Sequence, residues 1–206
     1  MPADFPRMVS ARHTAVLTME VQRGVVGDLS TIPELAEAAR SRGIVAHIAR
    51  LLDAARAAGT HVVHCTAGFR PDGVSTPRNA PIITALLRRP DHLVEGTEAV
   101  ELVPELGPAP TDHVSPRRHG VSPFGGTSLD ATLRGLGVTT VIATGVSLNL
   151  GIPGLAIEAV NHGYRVALPR DAVCGVPHEY GDQVLANTMA LVATVTTVDE
   201  VISCWS

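Results

Sequence analysis

Three short segments of the 206-residue chain carry side chains that could do chemistry. Glu20 closes an apolar run, Arg117–His119 precedes a Ser-Pro-Phe turn, and Asn149–Gly151 lies between an apolar run and a helical pattern. A carboxyl group can act as a general acid or base, whereas a guanidinium binds or orients anions without releasing its proton. Taken singly, each segment is also compatible with a structural role: a strand-end carboxylate, an ion-paired arginine or a tight turn.

The third segment has the clearest structural setting. Val138–Val146 is a β-branched apolar run, typical of a strand buried on both faces of a parallel sheet, and apolar residues recur at helical spacing from Ile152. Asn149 and Gly151 are therefore predicted to lie where a strand ends and a helix begins. Ligands bind at such positions in open α/β sheets, because backbone N–H groups and the positive end of the helix dipole face the crevice.

Strand and helix patterns alternate along the rest of the chain. After an irregular arm over residues 1–13, strands are predicted at 14–20, 60–65, around 113–114, 138–146, 164–168 and 194–197, and helices at 31–40, 44–58, 82–87, 128–136, from 152 onward and at 179–191. This alternation predicts an α/β protein with a three-layer Rossmann-like fold, in which helices cover both faces of a mostly parallel six-stranded sheet. The length suits a single domain over residues 1–206.

Composition narrows the possible partners. With 17% charged residues, a formal charge of −4 and no basic run, the chain is not expected to bind nucleic acid or a membrane surface. Cys65, Cys174 and Cys204 are odd in number and lack CxxC spacing, which argues against disulfides and structural zinc and favours a cytoplasmic location. Glycine-rich phosphate-binding motifs are absent from the sequence, so a small-molecule ligand is predicted and no cofactor.

Several segments together resemble one known family. TAVLTMEVQRG at the first strand, HGVSPFGGTSLDATLRGLGVTTVIATGVSLN across the fourth and GYRVALPRDAVCG at the fifth are similar to the isochorismatase-like cysteine hydrolases. The resemblance spans nearly the whole chain and implies a hydrolase that commonly forms homodimers or larger assemblies. Amide-hydrolysing members use an Asp–Lys–Cys triad: the Asp in a D-x-Q motif after the first strand, the Lys upstream of a Ser-x-Phe turn, and the Cys at a helix N-terminus.

This sequence departs from that triad at every position. Glu20 replaces the Asp, Arg118 is the best match to the Lys, and Gly151 replaces the Cys. Glycine cannot attack a carbonyl, so the covalent route is closed there, and the extra methylene of Glu20 moves its carboxylate by roughly 1 Å, enough to slow a reaction. Cys65 and Cys174 are more consistent with buried thiols than with nucleophiles. The segment CTAGFRPDG lacks the Asp and His ligands by which nicotinamidase-like relatives hold a metal, so no metal is predicted.

Three functions remain compatible with these substitutions. The first is hydrolysis of a vinyl ether, as in true isochorismatases, which resemble this chain in having glycine at the cysteine position. Glu20 would then be the general acid, and His119 could assist. The second is a non-catalytic small-molecule binding protein with a Glu20–Arg118 salt bridge, and the third is an isomerase or cyclase on a biosynthetic pathway.

Further residues are expected around the pocket. The resemblance implies a non-proline cis peptide bond between Val146 and Ser147 that directs N–H groups into the site. Asn149 lies in the adjoining turn, Phe124 is predicted to form an apolar wall, and His64 is predicted to reach the rim from the end of the second strand. Neither the substrate nor the number of subunits follows from these residues.

Overall fold

Within the part of the chain that the structure describes, the sheet is parallel and has seven strands. The structure, a computed structural model, describes residues 3–205. The strands are β1 Thr14–Met19, β2 His61–Ala67, β3 His113–Arg117, β4 Thr140–Val146, β5 Arg165–Pro169, β6 Val173–Cys174 and β7 Thr194–Thr196. They lie in the order β3-β2-β1-β4-β5-β7, and β6 pairs with the end of β4. The six-stranded prediction missed β6, because two residues are too few to give a period-2 pattern.

The central strands are apolar because both faces of the sheet are covered. All six residues of β1 and all seven of β4 are buried. This burial explains the continuous β-branched runs, since a strand with one exposed face would alternate between apolar and polar residues.

Helices form the two outer layers. The main helices are α1 Phe5–Met8, α2 Pro33–Ser41, α3 Ile44–Ala58, α4 Pro81–Leu86, α5 Leu129–Gly135, α6 Gly151–Asn161, α7 His178–Val184, α8 Ala190–Val192 and α9 Val198–Ile202. The apolar sides of α2, α3 and α9 share one core cluster with the sheet, and those of α5 and α6 share the other. The predicted three-layer α/β fold is therefore confirmed. Among the described residues, none of the helices is long and apolar enough to cross a membrane.

Three segments of the structure differ from the sequence-based prediction. The described part of the N-terminal arm, residues 3–13, contains α1 and a 3₁₀ turn at Ala11–His13, because Phe5 and Val9 dock fully buried against the core; residues 1–2 lie outside the described part. The predicted helix 179–191 is α7 followed by a π-helical stretch at Leu185–Met189 and α8. Helix α9 was not predicted and begins with a capping box formed by Thr197 and Glu200.

The strand order reverses direction at β1. Strands β2 and β3 lie on one side of β1, whereas β4, β5 and β7 lie on the other. The chain segments that follow β1 and β4 therefore turn toward opposite faces of the sheet and open a crevice between them. Glu20 directly follows β1, and Ser147 directly follows β4.

Candidate active site

A cavity of about 430 Å³ opens at this crevice. Its floor is formed by residues that follow the strands, and its other walls are apolar side chains from α2, α4 and the loops beside them. The lining residues that recur below are Glu20, Phe69, His92, Arg117, Ser147, Asn149 and Gly151. A largely apolar cavity of this size with a few polar groups suits a small organic molecule.

Glu20 is the carboxylate of this cavity. Its backbone takes a left-handed conformation with φ of 52°, and its N–H donates to Cys65 O at 2.9 Å. This bend turns the chain out of the sheet immediately after β1. The side chain is 18% exposed, and Oε1 accepts a hydrogen bond from Arg117 Nη2. A non-glycine residue held at positive φ is uncommon and is often found at functional sites.

The partner of Glu20 is Arg117, which corrects the prediction of Arg118. Along β3, Ser115 and Arg117 are buried, whereas Val114 and Pro116 are exposed. Arg118 follows the last residue of the strand, has a 54% exposed side chain and pairs instead with Glu95. The period-2 alternation of a strand therefore selects Arg117, a signal that was available in the sequence.

Arg117 has one donor that its neighbours do not use. Nη1 donates to Gly120 O at 2.9 Å, and Nη2 donates to Glu20. Nε is buried and has no hydrogen-bond partner among residues 3–205. The side chain is only 8% exposed and Nε is sealed from accessible space, so this cation is enclosed within the wall of the cavity.

The turn after β4 forms a second wall. The peptide bond between Val146 and Ser147 is cis, as predicted, and Ile152 N–H donates to Ser147 O at 3.0 Å. Ser147 and Asn149 both line the cavity. The Asn149 amide is committed to the backbone, because it donates to Val176 O and accepts from Val176 N–H at 2.9 Å. Asn149 therefore fixes the wall and does not present a free amide to a ligand.

Gly151, the first residue of α6, is closely packed. A Cβ atom built there would lie 2.9 Å from Val146 O and 3.3 Å from Met19 Cε. The first of these is backbone, which cannot rotate away. Any side chain at this position would push the helix from the turn.

We therefore expect Gly151→Ala to destabilise the fold by about 1 to 3 kcal/mol, as overpacking does. Gly154→Ala, in the same helix, is the matched control, because a Cβ there meets its nearest atom at 3.6 Å. That control should be neutral or should gain up to about 1 kcal/mol, since alanine favours helices more than glycine does. Urea unfolding of both variants measures the difference, and equal stabilities would contradict the crowding at Gly151.

The sequence analysis did not assign Gln22 or His92 to the site. Gln22 is fully buried; its amide donates to Ala67 O and Val100 O and accepts from Ala67 N–H, each at 2.8 Å. It ties the loop after β1 to the end of β2, which holds Glu20 in place. Its place in Glu20-Val21-Gln22, which resembles the family's D-x-Q motif, was the available signal. His92 lines the cavity from a loop that carries no regular pattern, so no signal identified it.

Three predicted pocket residues lie elsewhere, and each is a correction. His64 lies within β2, fully buried, and bonds Thr18 Oγ1 at 2.8 Å and Asp112 Oδ2 at 3.1 Å. Phe124 stacks on His162 with ring centroids 5.0 Å apart and belongs to the core on one face of the sheet. His119 lies above Gly126, outside the residues that line the cavity. Phe69 is the aromatic ring of the cavity wall instead.

The buried cysteines are not activated. Burial raises the pKa of the Cys65 thiol to about 12 and that of the Cys174 thiol to about 11. Both remain protonated at neutral pH, and neither belongs to the lining of the cavity within residues 3–205. Over the same residues, no three His, Cys, Asp or Glu side chains are grouped so that they could hold a metal ion.

Stability is expected to fall as the pH is lowered from about 7 to 4. Burial lowers the pKa of His92 from its ordinary value of 6.5 to about 4. It also lowers the pKa of His64 below the same ordinary value. The unfolded chain takes up protons first, so stability that is present above pH 6.5 is lost below it. His92 should account for about 2 to 3 kcal/mol of this loss. Urea unfolding at several pH values gives the free energy of unfolding as a function of pH. This free energy should fall less steeply with decreasing pH in His92→Phe than in the wild type, and an equal fall in both proteins would contradict the role of His92.

A sequence model described as the isochorismatase domain matches residues 14–200. The chain belongs to this family. Ureidoacrylate amidohydrolase of Rhizobium rhizogenes is 27% identical over 180 residues, which cover 81% of this chain and 72% of that enzyme. Maleamate amidohydrolase of Pseudomonas putida is 32% identical over 138 residues, which cover 64% of this chain and 61% of that enzyme.

Solved structures give the same assignment. An isochorismatase family protein of Desulfovibrio vulgaris superposes with a TM-score of 0.80 at 29% identity, covering 93% of this chain and 99% of its own. A cysteine hydrolase of Pseudomonas syringae pv. phaseolicola also reaches 0.80, at 26% identity, covering 95% of this chain and 93% of its own. The resemblance to isochorismatase-like hydrolases is thus confirmed for family and fold.

Proposed function

We propose that this isochorismatase-family protein hydrolyses a small vinyl ether that carries a carboxylate, without a covalent intermediate. Glu20 is the general acid, and Arg117 binds the substrate carboxylate. The observation that carries the proposal is the enclosed Glu20–Arg117 pair, which lines an apolar cavity beside a glycine at the position of the family's thiol. Such a site supplies an acid and an anion-binding group but no nucleophile.

The ion pair must rearrange for Glu20 to donate a proton. While Arg117 Nη2 holds Glu20, the carboxylate oxygen Oε1 is occupied by this hydrogen bond. A substrate carboxylate in the cavity can compete with Glu20 for Nη2, because charge-assisted hydrogen bonds to a guanidinium are strong. Glu20 would then be released from Arg117 into an apolar cavity, beside the bound substrate. Substrate binding thus prepares the acid.

The reaction balances with one water molecule. Glu20 transfers its proton to the terminal alkene carbon, and the electron pair of the double bond forms the new C–H bond. The resulting oxocarbenium ion is captured by water, which returns one proton to Glu20. The hemiketal hydroxyl then loses its proton to form the ketone as the bond to the ether oxygen breaks, and the leaving oxygen takes up a proton through Glu20 or water to give the alcohol. Each step needs a carboxylic acid and water alone.

Solvent isotope labelling tests this reaction directly. The protein is incubated in D₂O with an enolpyruvyl ether such as isochorismate and, separately, with a panel of small primary amides. We expect the ketone product, pyruvate, to carry one deuterium in its methyl group when it is analysed promptly by mass spectrometry. Release of unlabelled methyl groups, or turnover of amides alone, would contradict the proposal.

The second candidate is a non-catalytic binding protein. The observation in its favour is the same Glu20–Arg117 hydrogen bond, since a stable pair leaves no acid to start the reaction. Carboxylate binding by calorimetry with no turnover of either substrate class would favour this function over the first.

A further inference from the structure

His92 is a titratable side chain that the proposed reaction does not use. It lies between α4 and β3, is 4% exposed and lines the cavity beside Phe69. The two ring centroids are 5.9 Å apart with a tilt of 32°. A polar ring so enclosed needs hydrogen-bond partners for its nitrogen atoms.

Among the described residues, only one of its two nitrogens has such a partner. Nδ1 lies 2.6 Å from Thr31 Oγ1, which fixes the ring between the loop before α2 and the loop after α4. Nε2 makes no hydrogen bond with any residue from 3 to 205, and it is not sealed off from accessible space. Because the ring lines the cavity, a bound molecule can provide the missing partner.

The ring is uncharged at neutral pH. Burial, together with the charge of nearby Arg89, lowers the pKa of His92 to about 4. Nε2 therefore offers one hydrogen bond and no net charge, which suits an uncharged polar group. This separates its role from that of Arg117, which is charged at every working pH.

We propose that His92 Nε2 determines specificity by hydrogen bonding to an uncharged polar group, such as a hydroxyl, on the substrate's apolar body. The inference rests on the proposed function, because it takes the substrate carboxylate to be bound at Arg117. The substrate class is then a small hydroxylated carboxylate. The Thr31 contact holds the imidazole in one orientation, which is what selection between isomers requires.

Binding of benzoate and its three monohydroxylated isomers, measured by calorimetry, tests this role without turnover. We expect the wild-type protein to bind one isomer about tenfold more tightly than benzoate, the gain of one good hydrogen bond. His92→Phe keeps a ring beside Phe69 and should abolish that preference, so that this variant binds the favoured isomer no more tightly than it binds benzoate. His162→Phe, outside the cavity lining, is the matched control and should retain the preference.

The outcomes separate this inference from the proposed function. Equal wild-type affinity for all four compounds, or a preference that persists in His92→Phe, would overturn the role of His92 and leave the carboxylate site intact. Binding of none of the four would overturn the carboxylate site at Arg117 and the inference with it. Preference without vinyl-ether turnover would support His92 and refute the hydrolysis.

Discussion

Glu20→Gln is expected to lower kcat for vinyl-ether hydrolysis by about 10² to 10⁴-fold, the usual contribution of a positioned general acid. Glutamine has the same length and can still accept the hydrogen bond of Arg117 through its amide oxygen, so the cavity should keep its shape. What is lost is the proton that starts the reaction. Steady-state kinetics with the enolpyruvyl ether measure kcat, and an unfolding curve shows whether the variant keeps the stability of the wild type.

Glu95→Gln is the matched control for this loss. Glu95 pairs with Arg118 as Glu20 pairs with Arg117, but it is not among the described residues that line the cavity. Its substitution should leave kcat within about twofold, as expected for a surface ion pair. Unchanged turnover in a correctly folded Glu20→Gln protein would show that Glu20 is not the acid.

Arg117→Ala and Arg118→Ala are expected to differ sharply, although the residues are neighbours. Loss of the enclosed Arg117 should raise KM for carboxylate substrates about 100-fold, since a charge-assisted contact in such a site is worth about 2 to 3 kcal/mol. Arg118 has an exposed side chain and a surface partner, so its loss should change KM less than twofold. Binding of benzoate by calorimetry gives the same comparison without turnover.

Arg117→Lys refines the comparison. Lysine keeps the charge but lacks the planar fork that can bind Gly120 O, Glu20 and a ligand together, so an intermediate affinity is expected. If Arg118→Ala weakens binding as much as Arg117→Ala does, the assignment of the anion site to the buried arginine is wrong.

The sheet could be predicted from the sequence because its signal is local. The apolar run of β4 and the helical spacing of α6 lie next to each other, and they indicated a turn at Ser147–Gly151, whose residues line the cavity. Glu20 was located for the same reason, at the end of β1. Arg118 was preferred to Arg117 because only the first part of β3 was recognised within a proline-rich stretch. Had the strand been extended to Arg117, its period-2 alternation would have separated the buried arginine from the exposed one.

The walls contributed by loops could not be predicted. Residues 68–112 are rich in glycine and proline and form the cavity side that carries Phe69 and His92. Such a segment is placed by contacts with distant parts of the chain, such as the bond between His92 and Thr31, 61 positions apart in sequence. Phe124 and His64 were assigned to the pocket by proximity to motifs, whereas the packing on each face of the sheet decided their positions.

The crowding at Gly151 also limits what protein engineering can do at this position. A cysteine introduced here would need room for a Cβ atom, and the Val146 carbonyl and Met19 occupy that room. Such a variant would meet a steric penalty before its thiol could take part in any chemistry. A nucleophile at this turn would therefore require a second substitution that moves the neighbouring backbone, whereas the apolar walls of the cavity can be varied one residue at a time.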